Sequence, residues 1–258
     1  MKLVKPNLCV ELLVVTSLLV VFSVATHQRH SVWKTDLSLW SDVVAKSPTK
    51  ARPHNNLGML YGKLGLYDKG IPELKEAIRL NPHYPWAYNN LGLSYYKKGL
   101  LDKAIVEFKN AIQLKPDYAK AHVNLGIVYE DKGLIDEALA HYRRAVELKP
   151  YDPYYLQAYI HLGLILREKG LVDAAIVQYR KVVDLNPNDA SARSDLGVCY
   201  FEKGWTDRAI EQFEMAIRID PNHADAHYNL GVAYGSKEKY DLAFREMRKA
   251  KELRSINQ

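Results

Sequence analysis

The sequence has 258 residues, of which 48% are hydrophobic and 26% charged, with only 11 prolines and 14 glycines. This composition excludes a disordered or low-complexity chain. The net charge is +6, but six of the 36 basic and three of the 30 acidic residues fall in residues 1–50, so the rest nearly balance. Charges of both signs alternate along the predicted helices, which is typical of a solvated face, and we expect no nucleic-acid partner.

The N-terminal segment, residues 1–30, has the composition of a membrane anchor. Residues 8–25 are dominated by Leu and Val and just reach the length needed to cross a bilayer. A cleaved signal peptide is the alternative, because residues 23–25 offer small side chains where a peptidase would cut. Lys2 and Lys5 before the span favour an internal N-terminus. The sequence therefore predicts a single-pass membrane protein with the remainder on the extracytoplasmic side, periplasmic or lumenal.

The rest of the chain repeats. The tripeptide Asn-Leu-Gly, or a close variant, recurs with spacings of 34, 34, 37, 34 and 34 residues. Each copy is followed by a large residue, a small residue, a second large residue and a second small one in fixed order, and five of the six copies end in a proline. The tripeptides begin at Asn56, Asn90, Asn124, His161, Asp195 and Asn229, and the closing prolines are Pro82, Pro116, Pro150, Pro187 and Pro221.

This period and order of residues closely resemble the tetratricopeptide repeat (TPR) family. The resemblance implies an all-α fold, a right-handed TPR superhelical solenoid of six helical hairpins plus an N-terminal half repeat, following one transmembrane helix. The expected segments are the half repeat at 31–50 and the repeats at 51–84, 85–118, 119–152, 156–189, 190–223 and 224–257.

Glycines and prolines explain how each repeat would fold. The Gly of the tripeptide lets two helices approach closely. A second series of glycines lies where the first helix must stop, which suits a left-handed backbone conformation. The prolines then end the second helix. The second glycine series is Gly65, Gly99, Gly133, Gly170 and Gly204.

The tripeptide's first residue marks a possible binding surface. At about 100° per residue, His54 and its equivalents fall on the packing side of the first helix, whereas Asn56 and its equivalents fall on the opposite, exposed side. The resulting series of asparagines resembles that in the repeats of O-linked N-acetylglucosamine transferase, which implies binding of an extended peptide's backbone. Alternatively, these asparagines order neighbouring helices. The predicted peptide-binding residues are Asn56, Asn90, Asn124, His161, Asp195, Asn229, Trp86 and Lys120.

The fourth repeat departs from the pattern. A three-residue insertion lies around Asp152-Pro153-Tyr154-Tyr155. It is interpreted either as a simple loop or helix extension, or as a joint that alters the superhelix pitch.

The junction before the repeats resembles a second group of proteins. Residues 29–58, with Trp33 and Trp40, are similar to the join between the last membrane span and the C-terminal repeats of membrane mannosyltransferase-like proteins. Their catalytic membrane region has no counterpart in this sequence, so the resemblance does not transfer their activity.

The sequence carries no phosphate-binding loop and no nucleophile elbow. His223 and His227 have helical spacing, but the intervening residues lack the glutamate of a zinc peptidase motif, and no third ligand is evident. We therefore expect a non-enzyme without cofactor, metal or small-molecule substrate. The expected partners are proteins or extended peptides, with the membrane contacted through residues 8–25. The alternative is the TPR portion of a glycosyltransferase-like protein that presents acceptor polypeptides to a separate catalytic membrane domain.

Overall fold

The computed structural model describes Ser17 and residues 35–256, and within these residues the regular secondary structure is entirely helical. The predicted anchor, residues 8–25, lies outside the described residues except for Ser17. Among the helices that the structure describes, none has both the length and the apolar composition needed to traverse a bilayer.

The described residues form two compact units, one that ends at Leu114 and one that begins at Lys115. In the first unit, each described helix packs against the next one along the chain, and α2 also touches α4. The helices of this unit are α1 (Asp36–Lys46), α2 (Ala51–Lys63), α3 (Tyr67–Leu80), α4 (Pro85–Lys97) and α5 (Leu101–Leu114).

The second unit continues the alternation of 13- and 14-residue helices up to its last helix, which has 17 residues. It also contains a short 3₁₀ turn at Pro153–Tyr155. Consecutive helices again pack against each other, and α10 also touches α12. The helices are α6 (Ala119–Asp131), α7 (Ile135–Leu148), α8 (Leu156–Glu168), α9 (Val172–Leu185), α10 (Ala190–Glu202), α11 (Thr206–Ile219), α12 (Ala224–Ser236) and α13 (Tyr240–Ile256).

The turns inside the hairpins have the backbone conformation that the glycines predicted. Gly65 has φ of 72°, and the four equivalent glycines have φ between 73° and 75°. The sixth hairpin has Glu238 at this position, with φ of 58°. A left-handed conformation costs a residue with a side chain roughly 1–2 kcal/mol, which explains the glycine elsewhere.

The two helices of a hairpin approach closely at the tripeptide glycine, which confirms that prediction. A methyl group at Gly92 would lie 2.8 Å from Cε1 of Phe108, and one at Gly126 would lie 2.8 Å from Cε1 of Tyr142. Because ring and backbone are already in contact, the first five hairpins bury their large residue, whereas Met247 of the sixth is 37% exposed. Phe108, Tyr142 and Tyr179 are all fully buried.

The second helix ends where the proline predicted in the five hairpins that have one. Helix α3 ends at Leu80, two residues before Pro82, and α5 ends at Leu114, two residues before Pro116. Helix α1 differs from the rest because none of its residues is buried. Its side chains, including Trp40, are at most half-buried.

Candidate functional site

The packing side of the first helices is buried at its histidines, His54, His122 and His227, as expected. Each is also fixed by polar contacts. In α2, His54 Nδ1 lies 2.6 Å from Glu73 Oε2 and Nε2 lies 2.9 Å from the Pro48 carbonyl. Because the two partners come from different segments of the chain, these contacts fix the orientation of the His54 ring.

His122 in α6 has a different partner. Its Nδ1 lies 2.9 Å from Nδ1 of His141, while its Nε2 lies 3.2 Å from the Pro116 carbonyl. In a hydrogen bond between these two Nδ1 atoms, one donates a proton and the other accepts it. The two Nδ1 atoms therefore cannot both carry a proton in this geometry. Burial lowers the pKa of His122 below its ordinary value, the Pro116 carbonyl raises it in part, and Arg144 adds to the lowering.

The asparagine stripe is defined as the six residues that begin the tripeptides, Asn56, Asn90, Asn124, His161, Asp195 and Asn229. All six are half-buried.

In the first unit, the stripe forms a chain of amides. Asn90 Nδ2 donates to Asn55 Oδ1 over 2.9 Å, and Asn55 Nδ2 donates to Asn56 Oδ1 over 3.2 Å. Asn55 is only 5% exposed. One amide of the stripe therefore orders neighbouring repeats, as the alternative interpretation expected. In this series of amides, Asn90 Oδ1 and Asn56 Nδ2 make no hydrogen bond to any residue in 35–256.

In the second unit, the stripe varies in chemistry. His161 Nδ1 lies 3.0 Å from Glu130 Oε2, which also accepts from the Tyr142 hydroxyl over 2.7 Å. The His161 ring stacks on Tyr142 with centroids 5.1 Å apart. Asn229 makes no side-chain hydrogen bond to any residue in the described part of the chain.

Asp195 is the carboxylate of the stripe and is half-buried. Burial raises the pKa of its carboxyl, an effect that the Arg167 guanidinium partly opposes. Close by, the Tyr179 hydroxyl is buried without a hydrogen-bond partner in residues 35–256. Burial, and secondarily Asp195, raise the pKa of Tyr179 well above its ordinary value.

A pocket of about 270 Å³ opens beside the stripe in the second unit. It brings together two of the predicted site residues, Lys120 and Asn124, with Tyr154 and Tyr155 from the inserted segment. The remaining lining residues are Val123, Ile127 and Gln157.

The inserted segment is held in place by its own turn. Asp152 caps the 3₁₀ turn by accepting from the Tyr154 backbone N–H over 2.9 Å. The Tyr154 and Tyr155 rings then meet edge to face, with centroids 5.2 Å apart. The Lys120 ammonium lies 5.2 Å from the Tyr154 ring centroid. The insertion is therefore more than a connecting loop, since it supplies the aromatic wall of the pocket.

Sequence reasoning missed three residues that shape this surface, namely Asn55, Tyr154 and Tyr155. The signal for Asn55 was the doubled asparagine before Leu-Gly, and the signal for the two tyrosines was the 37-residue spacing. Trp86, a predicted site residue, belongs to the first unit. It is 47% exposed and lies against Tyr84, with ring centroids 5.7 Å apart. Within the described residues, no three His, Cys, Asp or Glu side chains are grouped as metal ligands would be.

Family models match most of the repeat region. The model described as TPR repeat matches residues 63–99, 94–133 and 199–237, and models described as Tetratricopeptide repeat match 117–188, 178–211 and 224–257. With these matches and the helical hairpins above, the chain belongs to the tetratricopeptide repeat family, and it is scaffold-like in architecture.

Solved structures agree with this assignment. YrrB, described as a TPR protein with an unusual peptide-binding site, is 29% identical with a TM-score of 0.63, over 70% of this chain and 91% of YrrB. MamA is 30% identical with a TM-score of 0.60, over 65% of this chain and 96% of MamA.

A curated relative comes from a different class. A Protein O-mannosyl-transferase of Caenorhabditis elegans is 38% identical over 74 residues, which are 29% of this chain. The match covers only 11% of that relative's length.

Proposed function

We propose that this chain is a membrane-anchored, extracytoplasmic TPR scaffold that binds an extended segment of a partner protein along the asparagine stripe. The proposal includes a right-handed stacking of six repeats with the stripe on the inner face. What carries it is the free hydrogen-bonding capacity of the stripe, at Asn90 Oδ1, Asn56 Nδ2 and Asn229, on an otherwise packed array.

The chemistry of the stripe suits a peptide backbone. An amide offers both a donor and an acceptor, so it can pair with a peptide unit without selecting a side chain. Each net hydrogen bond contributes roughly 0.5–1.5 kcal/mol. A few such contacts give a modest affinity, which is typical of a scaffold that engages and releases its partners. The similarity to YrrB, whose description names a peptide-binding site, supports the same interpretation.

The membrane part of the proposal depends on residues 8–25 and the lysines before them. An anchor there would hold the repeats close to a bilayer on the extracytoplasmic side. The chain itself would perform no catalysis, because it acts by holding another protein.

The experiment compares capture by three forms of the full chain, in detergent, from native membranes. The wild type is compared with the triple variant Asn90→Ala, Asn124→Ala, Asn229→Ala. A matched control, Asn110→Ala, removes an amide of α5 outside the stripe. We expect the triple variant to lose partners that the wild type and the control both retain, at unchanged helicity by circular dichroism. Equal capture by all three would refute binding through the stripe.

A second function is favoured by the match to the mannosyltransferase. The chain would then be the TPR portion of a glycosyltransferase-like system, and would present acceptor polypeptides to a separate catalytic membrane protein. Crosslinking from a photoreactive residue placed within 8–25 distinguishes the two. A polytopic glycosyltransferase among the products supports this second function, whereas products without one favour the independent scaffold.

A further inference from the structure

The pocket beside the inserted segment carries a single formal charge. Of its seven lining residues, Lys120 is the basic one, while Asn124 and Gln157 are amides and Val123 and Ile127 are apolar. The pocket is therefore a cationic site with apolar and aromatic walls.

The Lys120 ammonium has no acidic partner within residues 35–256. No carboxylate of residues 35–256 forms an ion pair with it, and its aromatic contact is the Tyr154 ring. Lysines at the hairpin turns behave differently, since Lys169 and Lys203, for example, pair with aspartates at 2.8 and 3.0 Å. Lys120 is also half-buried. A charge that is partly removed from water and lacks a counter-charge favours binding of an anion.

The volume of the pocket limits the size of the anion that it can bind. At about 270 Å³, it is smaller than the roughly 300–1,000 Å³ typical of small-molecule sites. The volume suits one side chain of a bound segment. The Tyr154 and Tyr155 rings would pack on the methylene groups of such a side chain, because aromatic faces bury apolar surface well.

The position of the pocket connects it to the stripe. Lys120 lies one helical turn before Asn124 on α6, and Ile127 lies about one turn after it, so all three share one face of the helix. A segment that pairs with the stripe through its backbone would therefore direct one side chain into the pocket.

We propose that this pocket binds one carboxylate side chain, aspartate or glutamate, of the extended partner segment. Lys120 forms the ion pair, and the inserted tyrosines Tyr154 and Tyr155 form the wall. The proposal rests on the proposed peptide-binding function and adds specificity to it, since the stripe alone does not select side chains.

The test uses the full chain in detergent and a phage library of random linear peptides as the probe. The wild type should select peptides with aspartate or glutamate at one fixed position. Lys120→Met should bind those peptides on the order of tenfold more weakly, because losing a partly buried charge contact removes about 1.4 kcal/mol. Lys120→Glu should select lysine or arginine at the same position instead.

Lys181→Met is the matched control. The Lys181 ammonium lies 4.0 Å from the ring centroid of Tyr151, in the segment next to the insertion, but Lys181 does not line the pocket. This variant should bind the selected peptides as the wild type does. Equal helicity and thermal midpoints of all variants show that differences in binding do not arise from unfolding.

Two further outcomes separate this inference from the proposed function. If the wild type selects peptides that the triple asparagine variant loses, but with no acidic preference or none that Lys120→Glu changes, then the pocket's assignment is wrong and the scaffold function stands. If the wild type enriches no peptide at all, both proposals are overturned.

Discussion

Substituting Gly197 by alanine tests the close approach of helices on which every hairpin depends. The new Cβ would lie 2.6 Å from Cε1 and 2.8 Å from Cδ1 of Phe213. Carbon atoms in favourable contact are about 3.5–4.0 Å apart, so the overlap is about 1 Å. Phe213 is only 1% exposed, so its ring is packed on all sides. Helices α10 and α11 must therefore separate, or the ring must leave its preferred rotamer.

The magnitude follows from two opposing effects. Overpacking of this kind costs roughly 1–3 kcal/mol, and the short contacts to several ring atoms place it toward the upper end. Replacing glycine by alanine inside a helix returns about 1 kcal/mol. The net expectation is a loss of about 2 kcal/mol in the free energy of unfolding. The control is Gly62→Ala, where the nearest atom, Ser94 Oγ, is 3.8 Å away. There only the gain in helix propensity remains.

Urea unfolding of the full chain, followed by far-ultraviolet circular dichroism in one detergent, measures both variants. Gly197→Ala should unfold at lower urea concentration than the wild type and Gly62→Ala at the same or higher concentration, with similar slopes. If the two substitutions shifted the midpoint equally, the steric argument would be refuted.

Three further experiments test single contacts or single buried groups. Burial lowers the folded-state pKa of His122, so the unfolded chain binds a proton more readily and the free energy of unfolding should fall as the pH drops below the ordinary histidine pKa of about 6.5. In thermal unfolding, His122→Tyr should lose less stability over that range. Asn90→Ala should cost about 1–3 kcal/mol in chemical denaturation because it leaves the buried oxygen, Asn55 Oδ1, without its donor. Asn229→Ala should cost under about 0.5 kcal/mol. Burial raises the pKa of Cys199 to about 12, so, with the other cysteine replaced by serine, iodoacetamide should label it at neutral pH only after denaturant is added.

The sequence was informative about the hairpins because their rules are local. A left-handed turn requires glycine, a proline ends a helix, and a glycine opposite a large residue marks a close approach. These positions recur at a fixed period, so Gly65, Gly92 and Pro82 could each be placed before any coordinates. The exception at Glu238 shows that the backbone conformation can persist without the glycine.

The candidate site was less predictable because its contacts join residues that are distant in sequence. The periodicity placed Asn90 on an exposed face, but not the hydrogen bond to Asn55, which lies 35 residues earlier. Lys120 was identified as a candidate, yet its position over Tyr154 depends on how the inserted turn folds back. An insertion can be counted in a sequence, whereas the direction of its side chains follows from the capped turn that Asp152 closes.

Ion pairs at the hairpin turns have a mechanical consequence. Each joins the end of a repeat's first helix to the start of the preceding repeat's second helix, and their aspartate side chains are 75–88% exposed. The pairs are Lys98–Asp68, Lys169–Asp136, Lys203–Asp173 and Lys237–Asp207. Such contacts add little to folding and are screened by salt. Within each unit they restrain the angle between neighbouring repeats only weakly. Raising the ionic strength should therefore let neighbouring repeats bend more easily, while the hairpins themselves stay intact.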